Sequence, residues 1–285
     1  MEPPDPASVI IGTYNNLEII ETTLAAFAMQ SFREFEIVLA DDGSNHDYAP
    51  ILAKWAQRFP HGIQHVSHEK RGFRKARVLN RAVVVSRFDR LIVSDMDCVP
   101  HRDFVRNHLA YVREGTAITG RRTHVKLEVL PSPQHILKSS LWLTPLSLIR
   151  LRMVGKARII EHGFVSPIWY ESRNLRLHGS NFSVSRKDIF AVNGWNEEFE
   201  GWGDEDSDLG VRLQNSGVCI RNLRNKVIQF HVMHDKLPAI NPKNEALFQH
   251  TRRQHITRAR IGIAESKPEE FAVRRYAAAS EPVSV

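Results

Sequence analysis

Two groups of carboxylates, Asp41-Asp42 and Asp95-Met96-Asp97, follow directly after short apolar segments of the sequence. Alternate side chains of an extended segment point to the same side, so Asp95 and Asp97 can reach one ligand. Neighbouring carboxylates repel each other unless a cation lies between them, and a divalent cation held by carboxylates also bridges substrate phosphates. Asp-x-Asp occurs by chance in many polar loops, but its position at the end of an apolar strand favours metal binding.

A third acidic group, Asp204-Glu205-Asp206, follows Gly201-Trp202-Gly203 and opens a segment with helical periodicity. A carboxylate within hydrogen-bond reach of a hydroxyl group can remove its proton while the oxygen attacks another atom. The alternative is an acidic first turn that stabilises the helix dipole. These residues alone leave both interpretations open.

Strands and helices alternate over the first 115 residues, which predicts an α/β fold with a mostly parallel sheet and helices on both faces. The predicted strands cover 8–13, 36–40, 63–66 and 90–94, and the predicted helices cover 17–30, 48–58 and 74–86. Ligands of such sheets collect beyond the carboxyl ends of the strands. Polar residues lie at those ends, namely Tyr14-Asn15-Asn16, Asp41-Asp42 and Asp95/Asp97. Asp41 follows its strand directly and could accept hydrogen bonds from a nucleobase or a ribose.

The second half of the chain has a less regular pattern. We predict a strand over 181–185, a helix that ends near residue 215, and a strand over 227–232. His231 and His234 lie at the end of that last strand. A basic helix is predicted over 243–263, and an irregular tail from Ser266 onward.

The basic charge of the chain is concentrated in one segment. The net charge is +7, and residues 121–178 hold ten Lys/Arg against three Asp/Glu, a surplus equal to that of the whole chain. Such a surplus attracts phosphates, nucleic acid or anionic lipid without choosing among them. Within it, Leu141–Met153 mixes apolar residues with arginines, which predicts either a core helix or a segment that dips into an anionic membrane surface.

Composition also bears on localisation. The two cysteines, Cys98 and Cys219, form neither a disulfide framework nor a zinc set, which is typical of a reducing compartment. The first residues lack the basic and apolar regions of a signal peptide. The apolar stretch Leu141–Ile149 is interrupted by Pro145 and is too short to span a bilayer. We therefore expect a cytoplasmic protein, with peripheral contact to the inner face of the membrane as an additional interpretation of the basic segment.

Taken together, the motifs resemble those of family 2 glycosyltransferases of the GT-A fold. The resemblance rests on the order and spacing of Ile10–Asn16, Asp41–Ser44 and Asp95–Asp97. Gly201–Asp206 is similar to the C-terminal galactosyltransferase-type motif of chondroitin-polymerase-like and β-1,4-galactosyltransferase-like enzymes. The resemblance covers about residues 7–240. It implies a Rossmann-like, mostly parallel central sheet flanked by helices, with an acceptor-binding C-terminal half.

The resemblance also implies a set of donor-binding residues. The end of the first strand would border the nucleobase, Asp41 would bond uracil or ribose, and Asp95 would contact the ribose. The segment 71–77 would lie beside the donor diphosphate, which suits its arginine and lysine side chains. The implied donor-binding residues are Thr13, Tyr14, Asn15, Asp41, Arg71, Arg74, Lys75, Arg77, Asn80 and Asp95.

The same resemblance assigns the remaining roles. Asp206 would be the general base and Glu205 would orient the acceptor or the donor sugar, with Asp208 as a structural acid. The implied acceptor-binding residues are Trp202, Gly203 and Asn181. Asp97 and His231 would hold Mn²⁺ or Mg²⁺, with His234 as the competing ligand. Small residues around Gly179 would let the donor sugar approach the backbone.

We therefore expect an inverting transfer of a hexose or N-acetylhexosamine from a UDP-sugar to a hydroxyl of a glycan or glycolipid, as in polysaccharide or lipopolysaccharide biosynthesis. Residues 1–120 would bind the nucleotide sugar, 121–240 the acceptor, and 241–285 would form a basic helix and tail. Anionic membrane is an expected contact and nucleic acid is not. A sugar nucleotidyltransferase is one alternative, although Thr13–Asn16 stands where it would need a glycine-rich phosphate loop. A non-enzymatic basic binding protein is the other, although it would not explain acids at strand ends.

Overall fold

The computed structural model of the protein describes residues 5–139, 144–158, 169, 176–233 and 241–277. The described strands are β1 Ala7–Thr13, β2 Phe35–Asp41, β3 Ile63–His68, β4 Arg90–Asp95, β5 Cys98–Pro100, β6 Thr116–Thr119, β7 Thr123–Val125, β8 Ala157–Arg158, β9 Asn181–Ser185, β10 Cys219–Asn222, β11 Gln229–Val232 and β12 Phe271–Tyr276. The described helices are α1 Ile20–Ala28, α2 Ala49–Ala56, α3 Lys75–Val85, α4 Phe104–Leu109, α5 Pro133–Lys138, α6 Pro145–Met153, α7 Arg186–Ala191, α8 Glu205–Asn215 and α9 Pro242–Arg253.

The central sheet has the strand order β10-β6-β9-β4-β1-β2-β3-β12. Its middle strands, β4, β1, β2 and β3, are parallel, as the alternation of strands and helices predicts. β9 is antiparallel to both of its neighbours, and β12 is antiparallel to β3. The predicted α/β fold is therefore confirmed, with a mixed sheet built around a parallel centre.

Apolar side chains on both faces of the sheet form the core. Val9 and Ile11 of β1 join the cluster that contains α1, whereas Ile10 joins the cluster that contains α3. This division follows from the alternation of side chains along a strand. A strand buried on both faces needs an uninterrupted apolar run, which explains the β-branched sequence of β1.

A second, smaller sheet has the order β5-β11-β7-β8. β5 begins three residues after β4 ends, so Asp97 lies at the junction of the two sheets. β11 pairs with β5 in an antiparallel register that puts His231 opposite Cys98. The small sheet therefore brings a histidine from late in the sequence to the carboxyl end of a central strand.

Two predictions for the C-terminal segment are wrong. The basic helix ends at Arg253 rather than near residue 263, and His255 just beyond it has a positive φ of 49°. The segment after Ser266 is not irregular throughout, because β12 pairs with β3 along its length. Phe271 and Val273 pack on the core, whereas the exposed Arg274 and Arg275 give the segment the appearance of a solvated tail. β12, from the predicted C-terminal part, pairs with β3 of the first half. The division into residues 1–120, 121–240 and 241–285 therefore stays a proposal about function and does not describe separate structural units.

The basic segment contributes α6, which is only partly packed. Leu148 is buried, but Leu146 is 58% exposed and Met153 is 82% exposed. Residues 141–143, at the start of the predicted apolar stretch, lie outside the described residues. Across the described ranges, the helices are all too short or too polar to cross a lipid bilayer.

A buried ion pair anchors α8. Arg212 Nε donates to Asp208 Oδ2 at 2.7 Å, and the exposed fractions of the two side chains are 1% and 0%. Arg212 also donates to the carbonyl oxygens of Val192 and Gly194 at 2.8 and 2.7 Å. The pair therefore fixes α8 against the loop that follows α7, and Asp208 has the structural role expected of it.

Replacement of Asp208 by alanine should destabilise the fold by about 3–5 kcal/mol, because it leaves the Arg212 charge buried without its partner. Urea unfolding followed by circular dichroism measures this loss. The matched control is Glu114→Ala, which removes the partner of Lys187 from an exposed ion pair and should cost less than about 1 kcal/mol. Equal losses in the two variants would contradict a special role for the buried pair.

Candidate active site

The parallel strands bring the predicted polar residues to one edge of the sheet. Thr13 at the end of β1 pairs with Asp41 of β2, and Gly12 pairs with Asp95 of β4. Asp97 follows two residues after Asp95 and completes the group. The convergence predicted from the strand ends is therefore a property of the strand register.

Lys75, the first residue of α3, brings a partly buried cation to this edge, with 16% of its side chain exposed. Its Nζ lies 2.6 Å from Asp95 Oδ1. Gly12 leaves room for the pair, because a Cβ at that position would lie 3.0 Å from Asp95 Oδ1 and 3.1 Å from Lys75 Cε. Burial alone would lower the pKa of Lys75, but Asp95 together with Asp206 and Glu205 raises it above its usual value. The lysine is thus a permanent positive charge among three acids.

Asp206 reaches the same group from the first turn of α8. Its Oδ1 accepts a hydrogen bond of 2.8 Å from Nε1 of the buried Trp195. A Cβ on residue 179 would lie 1.6 Å from Asp206 Oδ2, so only glycine leaves space for the carboxylate. Burial raises the pKa of Asp206, against the opposing effect of Lys75 and the Trp195 hydrogen bond. We expected the space beside Gly179 to admit the donor sugar, but the Asp206 carboxylate occupies it.

Glu205, the neighbour of Asp206, is 7% exposed. Its Oε2 accepts a hydrogen bond of 3.2 Å from the backbone N–H of Gly203, which has a φ of 118° that favours glycine. Burial, with the nearby Asp206 charge, raises the pKa of Glu205 to about 7, although Lys75 opposes the shift. The acidic pair therefore holds a proton close to neutral pH.

Asp97 and His231, predicted as metal ligands, lie together at the junction of the sheets. Asp97 Oδ2 is 3.5 Å from His231 Nε2. Cys98 joins them, because its Sγ donates to Asp97 Oδ1 at 3.3 Å and potential ligand atoms of the three residues all lie within 4.8 Å of one another. A carboxylate and an imidazole suit a divalent cation, so the residues fit the expected metal. His234, the competing ligand, lies outside the described residues.

We define the acidic cluster as Asp95, Glu205 and Asp206. The basic residue Arg122 acts electrostatically both on this cluster and on the residues around the proposed metal ligands. Its charge acts on both Cys98 and Asp206, and so does the charge of Asp95. The two groups are therefore close enough to influence each other electrostatically. Sequence reasoning missed Arg122, Cys98 and Trp195, since nothing in their local spacing marks them.

The nucleobase end of the predicted donor site is closed by contacts within the protein. Asp41 Oδ1 accepts from the backbone N–H and the hydroxyl of Ser44 at 2.9 and 2.6 Å, and Oδ2 lies 3.1 Å from His65 Nε2. Asn15 Oδ1 accepts from the backbone N–H of Asn45. Tyr14 is 40% exposed, with Lys70 Nζ 3.6 Å from its ring centroid. Tyr14 therefore offers a free ring face, whereas Asp41 and Asn15 hold the loops in place.

The predicted basic segment is divided by the structure. Lys75 pairs with Asp95 of the acidic cluster. In contrast, Arg71 pairs with Glu69, and Arg77 pairs with Glu270. A cavity of about 270 Å³ is lined by His68, Glu69, Arg71, Arg74, Arg77, Glu269 and Glu270, and by no member of the acidic cluster. The expectation that all four cations share one diphosphate site is therefore corrected, and only Lys75 is kept for that role.

Two predicted contact residues are buried and fully engaged within the protein. The amide nitrogen of Asn80 donates to the Trp195 carbonyl oxygen at 2.9 Å and to Glu197 Oε1 at 3.0 Å, and its oxygen accepts from Trp195 N–H. The amide nitrogen of Asn181 donates to the carbonyl oxygens of Arg121 and Val227. Neither amide is left for a ligand. Asn80 positions Trp195 instead, and Asn181 positions the loop before β7.

Trp202 and Gly203 lie beside the first turn of α8. Trp202 is half-buried, and its carbonyl oxygen accepts a hydrogen bond of 3.1 Å from Asn241 N–H, just before α9. Gly203 is buried and bonds Glu205, as described above. Their predicted contact with an acceptor stays a prediction.

The fold and the acids gathered at the carboxyl edge of the sheet define an enzyme of the α/β class. The chain belongs to glycosyl transferase family 2, whose family model matches residues 8–173. A second model, described as the N-terminal domain of galactosyltransferase, matches residues 162–236. The family resemblance is thus confirmed, and family membership favours neither the nucleotidyltransferase nor the non-enzymatic alternative.

Curated relatives agree with the family. The chain is 26% identical over 243 residues to a chondroitin synthase of Escherichia coli, a match that covers 77% of this chain and 34% of the relative. It is 26% identical over 232 residues to a hyaluronan synthase of Pasteurella multocida, covering 76% of this chain and 23% of the relative. The chain therefore spans about a third of the length of the first synthase and about a quarter of the length of the second.

Solved structures confirm the GT-A fold. A structure of GalNAc-T7 with UDP, GalNAc and Mn²⁺ superposes with a TM-score of 0.65 at 16% identity, covering 88% of this chain and 48% of that one. Residues 1–349 of Staphylococcus aureus TarS in complex with UDP-GlcNAc superpose with a TM-score of 0.62 at 15% identity, covering 92% and 69%. At these identities the likeness concerns the fold alone.

The raised pKa of Glu205 predicts a pH-dependent stability. Between the usual value of 4.5 and about 7, the folded protein holds a proton that the unfolded chain releases, so stability falls as the pH rises through this window. Glu205→Gln removes that proton equilibrium. The melting temperature of the variant, relative to the unmodified protein, should therefore increase from about pH 4.5 to about pH 7 and level off at higher pH.

Thermal unfolding followed across this pH series is the measurement. Glu200→Gln, an exposed acid in the same loop, serves as the control and should give a constant difference. A constant difference for Glu205→Gln as well would mean that Glu205 is ionised throughout the series.

Proposed function

We propose that the protein is a metal-dependent, inverting glycosyltransferase that moves a hexose or N-acetylhexosamine from a UDP-sugar to a hydroxyl of a glycan or glycolipid. The observation that carries the proposal is the position of the Asp206 carboxylate. It is partly buried, held by Trp195, and in electrostatic contact with Lys75 and Asp95 at the ligand-binding edge of the sheet. A carboxylate whose pKa is raised above its usual value is a stronger base for an acceptor hydroxyl.

In the proposed reaction, Asp206 accepts the proton of the acceptor hydroxyl as its oxygen attacks the anomeric carbon. The attack comes from the side opposite the leaving diphosphate, and a single displacement inverts the configuration. Glu205 holds a proton near neutral pH and can donate a hydrogen bond to a sugar oxygen. Lys75 supplies a positive charge next to Asp95, the residue that we assign to the donor ribose.

Asp97 and His231 are the proposed protein ligands of Mn²⁺ or Mg²⁺. When bound, such an ion would neutralise the charge that develops on the leaving diphosphate. The support from this chain is the short separation of the two side chains and their position beside Asp95. The Mn²⁺ in the GalNAc-T7 structure belongs to that protein, and we extend the use of a divalent ion to this chain as part of the proposal.

The donor nucleotide is proposed from the strand ends and from the solved relatives. Thr13 and the exposed face of Tyr14 would border the base, with Asp41 and Asn15 shaping the loop beneath it. The TarS structures contain UDP and UDP-GlcNAc, which favours a uridine nucleotide.

Trp202 would contact the acceptor. The names of the chondroitin and hyaluronan synthases favour a glycan acceptor, with galactose, N-acetylgalactosamine and glucose as donor sugars to test.

Removal of the base should separate turnover from binding. Asp206→Asn should lower turnover by about 10²- to 10⁴-fold, the usual contribution of a general base, and should leave UDP affinity nearly unchanged. The measurement is UDP release from each UDP-sugar with Mn²⁺ and an acceptor glycan, together with calorimetry of UDP binding. Asp89→Asn alters an exposed acid at the opposite edge of the sheet and serves as the control. Full turnover in the Asp206 variant would refute the assignment.

We also propose a peripheral contact of the protein with an anionic membrane through α6. Leu146, Ile149 and Met153 recur at helical spacing and are 58%, 49% and 82% exposed, so the described residues leave one apolar stripe of the helix uncovered. Residues 121–158 contain eight Lys/Arg and a single Asp/Glu. An exposed apolar stripe among basic side chains suits the surface of an anionic bilayer.

The position of α6 relates this surface to the site. Leu148, on the inner side of the helix, packs in one apolar cluster with Val125 of β7 and Phe230 of β11. β11 also carries His231, the proposed metal ligand. Membrane contact through α6 would therefore bring the site close to lipid-linked acceptors.

Vesicle binding tests this contact. The protein should sediment with vesicles that contain phosphatidylglycerol and much less with phosphatidylcholine alone, because the attraction combines apolar burial with charge. The double substitution Ile149→Asn and Met153→Asn should abolish the difference. Phe190→Asn alters an exposed apolar residue of α7 and should bind as the unmodified protein does. Equal sedimentation with the two kinds of vesicle would argue against an anionic membrane as the partner.

A further inference from the structure

Cys98 lies in a row of potential metal ligands that crosses the small sheet. His231 of β11 is directly opposite Cys98 of β5 on one side and His124 of β7 on the other. Directly opposite residues on neighbouring strands project to the same face of a sheet. The rings of His231 and His124 are accordingly in contact, with centroids 4.9 Å apart. The register therefore directs the Cys98 thiol to the face on which the proposed metal ligand His231 lies.

The surroundings of Cys98 are polar for a fully buried thiol. A buried free cysteine ordinarily packs as a small apolar residue. Cys98 belongs to none of the apolar core clusters formed by the described residues, although its neighbours Met96 and Val99 do. Its Sγ instead contacts the Asp97 carboxylate, and both lie against His231. Packing alone therefore does not account for a cysteine at this position.

The Asp97 carboxylate lies about as far from Cys98 and from His231 as ligand atoms around a single ion lie from one another, and potential ligand atoms of all three residues are within 4.8 Å. A tetrahedral Zn²⁺ with bonds of about 2.3 Å to sulfur and about 2.0–2.2 Å to nitrogen and oxygen has neighbouring ligand atoms about 3.4–3.6 Å apart. Here the Cys98 sulfur lies 3.3 Å from one Asp97 oxygen, and the His231 nitrogen lies 3.5 Å from the other. Three protein ligands with one open position is also the usual composition of a catalytic zinc site.

We propose that Cys98 is a third protein ligand of the metal site, and that its sulfur makes the site prefer thiophilic divalent ions such as Zn²⁺ and Co²⁺ to Mn²⁺ and Mg²⁺. This inference rests on the metal-binding part of the proposed function. On binding, a metal–sulfur bond forms and the thiol proton passes to solvent, with no change in the oxidation state of either atom. Carboxylate and imidazole alone would suit several divalent ions, whereas thiolate selects the softer ones.

Cobalt absorption tests the ligand directly. The metal-free protein is titrated with Co²⁺, with and without UDP, while visible and near-ultraviolet spectra are recorded. Binding through Cys98 should produce the visible ligand-field bands together with a sulfur-to-cobalt charge-transfer band in the near ultraviolet. Cys98→Ser should keep the visible bands and lose the charge-transfer band. Cys219→Ser, which removes the other cysteine of the chain from β10, should keep both.

Metal competition provides the second measurement. Cys98→Ser should weaken Zn²⁺ binding by at least the 10- to 100-fold that is typical even for loss of an outer-shell partner. Mn²⁺ binding should change much less, because oxygen and nitrogen ligands remain. Asp97→Ala should abolish the visible cobalt bands and weaken the binding of both Zn²⁺ and Mn²⁺, because it removes the ligand that Cys98 and His231 contact.

The outcomes distinguish the inference from the proposed function. Visible bands without a charge-transfer band in the unmodified protein would overturn the role of Cys98 and leave the Asp97–His231 site in place. Failure to bind Co²⁺, Zn²⁺ and Mn²⁺, with and without UDP, would overturn both. The spectrum of the unmodified protein decides between these results even if the Cys98 variant does not fold.

Discussion

The ion pair between Lys75 and Asp95 is the interaction on which the rest of the site depends. Taking an ammonium group partly out of water is costly unless nearby acids compensate its charge, and here Asp95, Glu205 and Asp206 do so together. These acids come from a strand end and from a helix start that are far apart in the sequence. The lysine therefore joins the two halves of the site electrostatically. Without its charge, three carboxylates in one buried space would repel one another and would have to take up protons.

Close approach at glycine positions makes this arrangement possible. Gly12 lets the lysine and Asp95 meet over the end of β1, and Gly179 leaves the space that the Asp206 carboxylate occupies. Asn80 then holds Trp195, whose indole N–H holds Asp206. Asn80, whose side-chain amide is fully hydrogen-bonded within the protein, thus contributes to the site by holding Trp195. The position of the reactive carboxylate is set by packing and hydrogen bonding well outside the ligand-binding edge.

Much of the fold could be predicted from the sequence, because the apolar runs and the motifs at their ends are local signals. Motif order alone named Asp97 and His231, the proposed metal ligands, and Asp206, the proposed base. The rest depends on tertiary contacts that local patterns do not carry. Asn80 and Asn181 match motif positions, yet their side-chain amides form hydrogen bonds within the protein core. The arginines near Lys75 line a separate cavity, namely Arg71, Arg74 and Arg77. Cys98 acquires its neighbours only through the register of β5 with β11.

The pairing of β12 with β3 has a consequence for how the protein is made. During synthesis, β3 leaves the ribosome long before β12, so the nascent chain presents the unpaired edge of β3 until the residues between the two strands have been made. Open edges invite pairing with other chains, and contacts between distant segments form slowly because a long loop must close first. The first half of the sheet is therefore exposed to aggregation until the last strand arrives, and its production should depend on chaperone capacity and on the pace of translation.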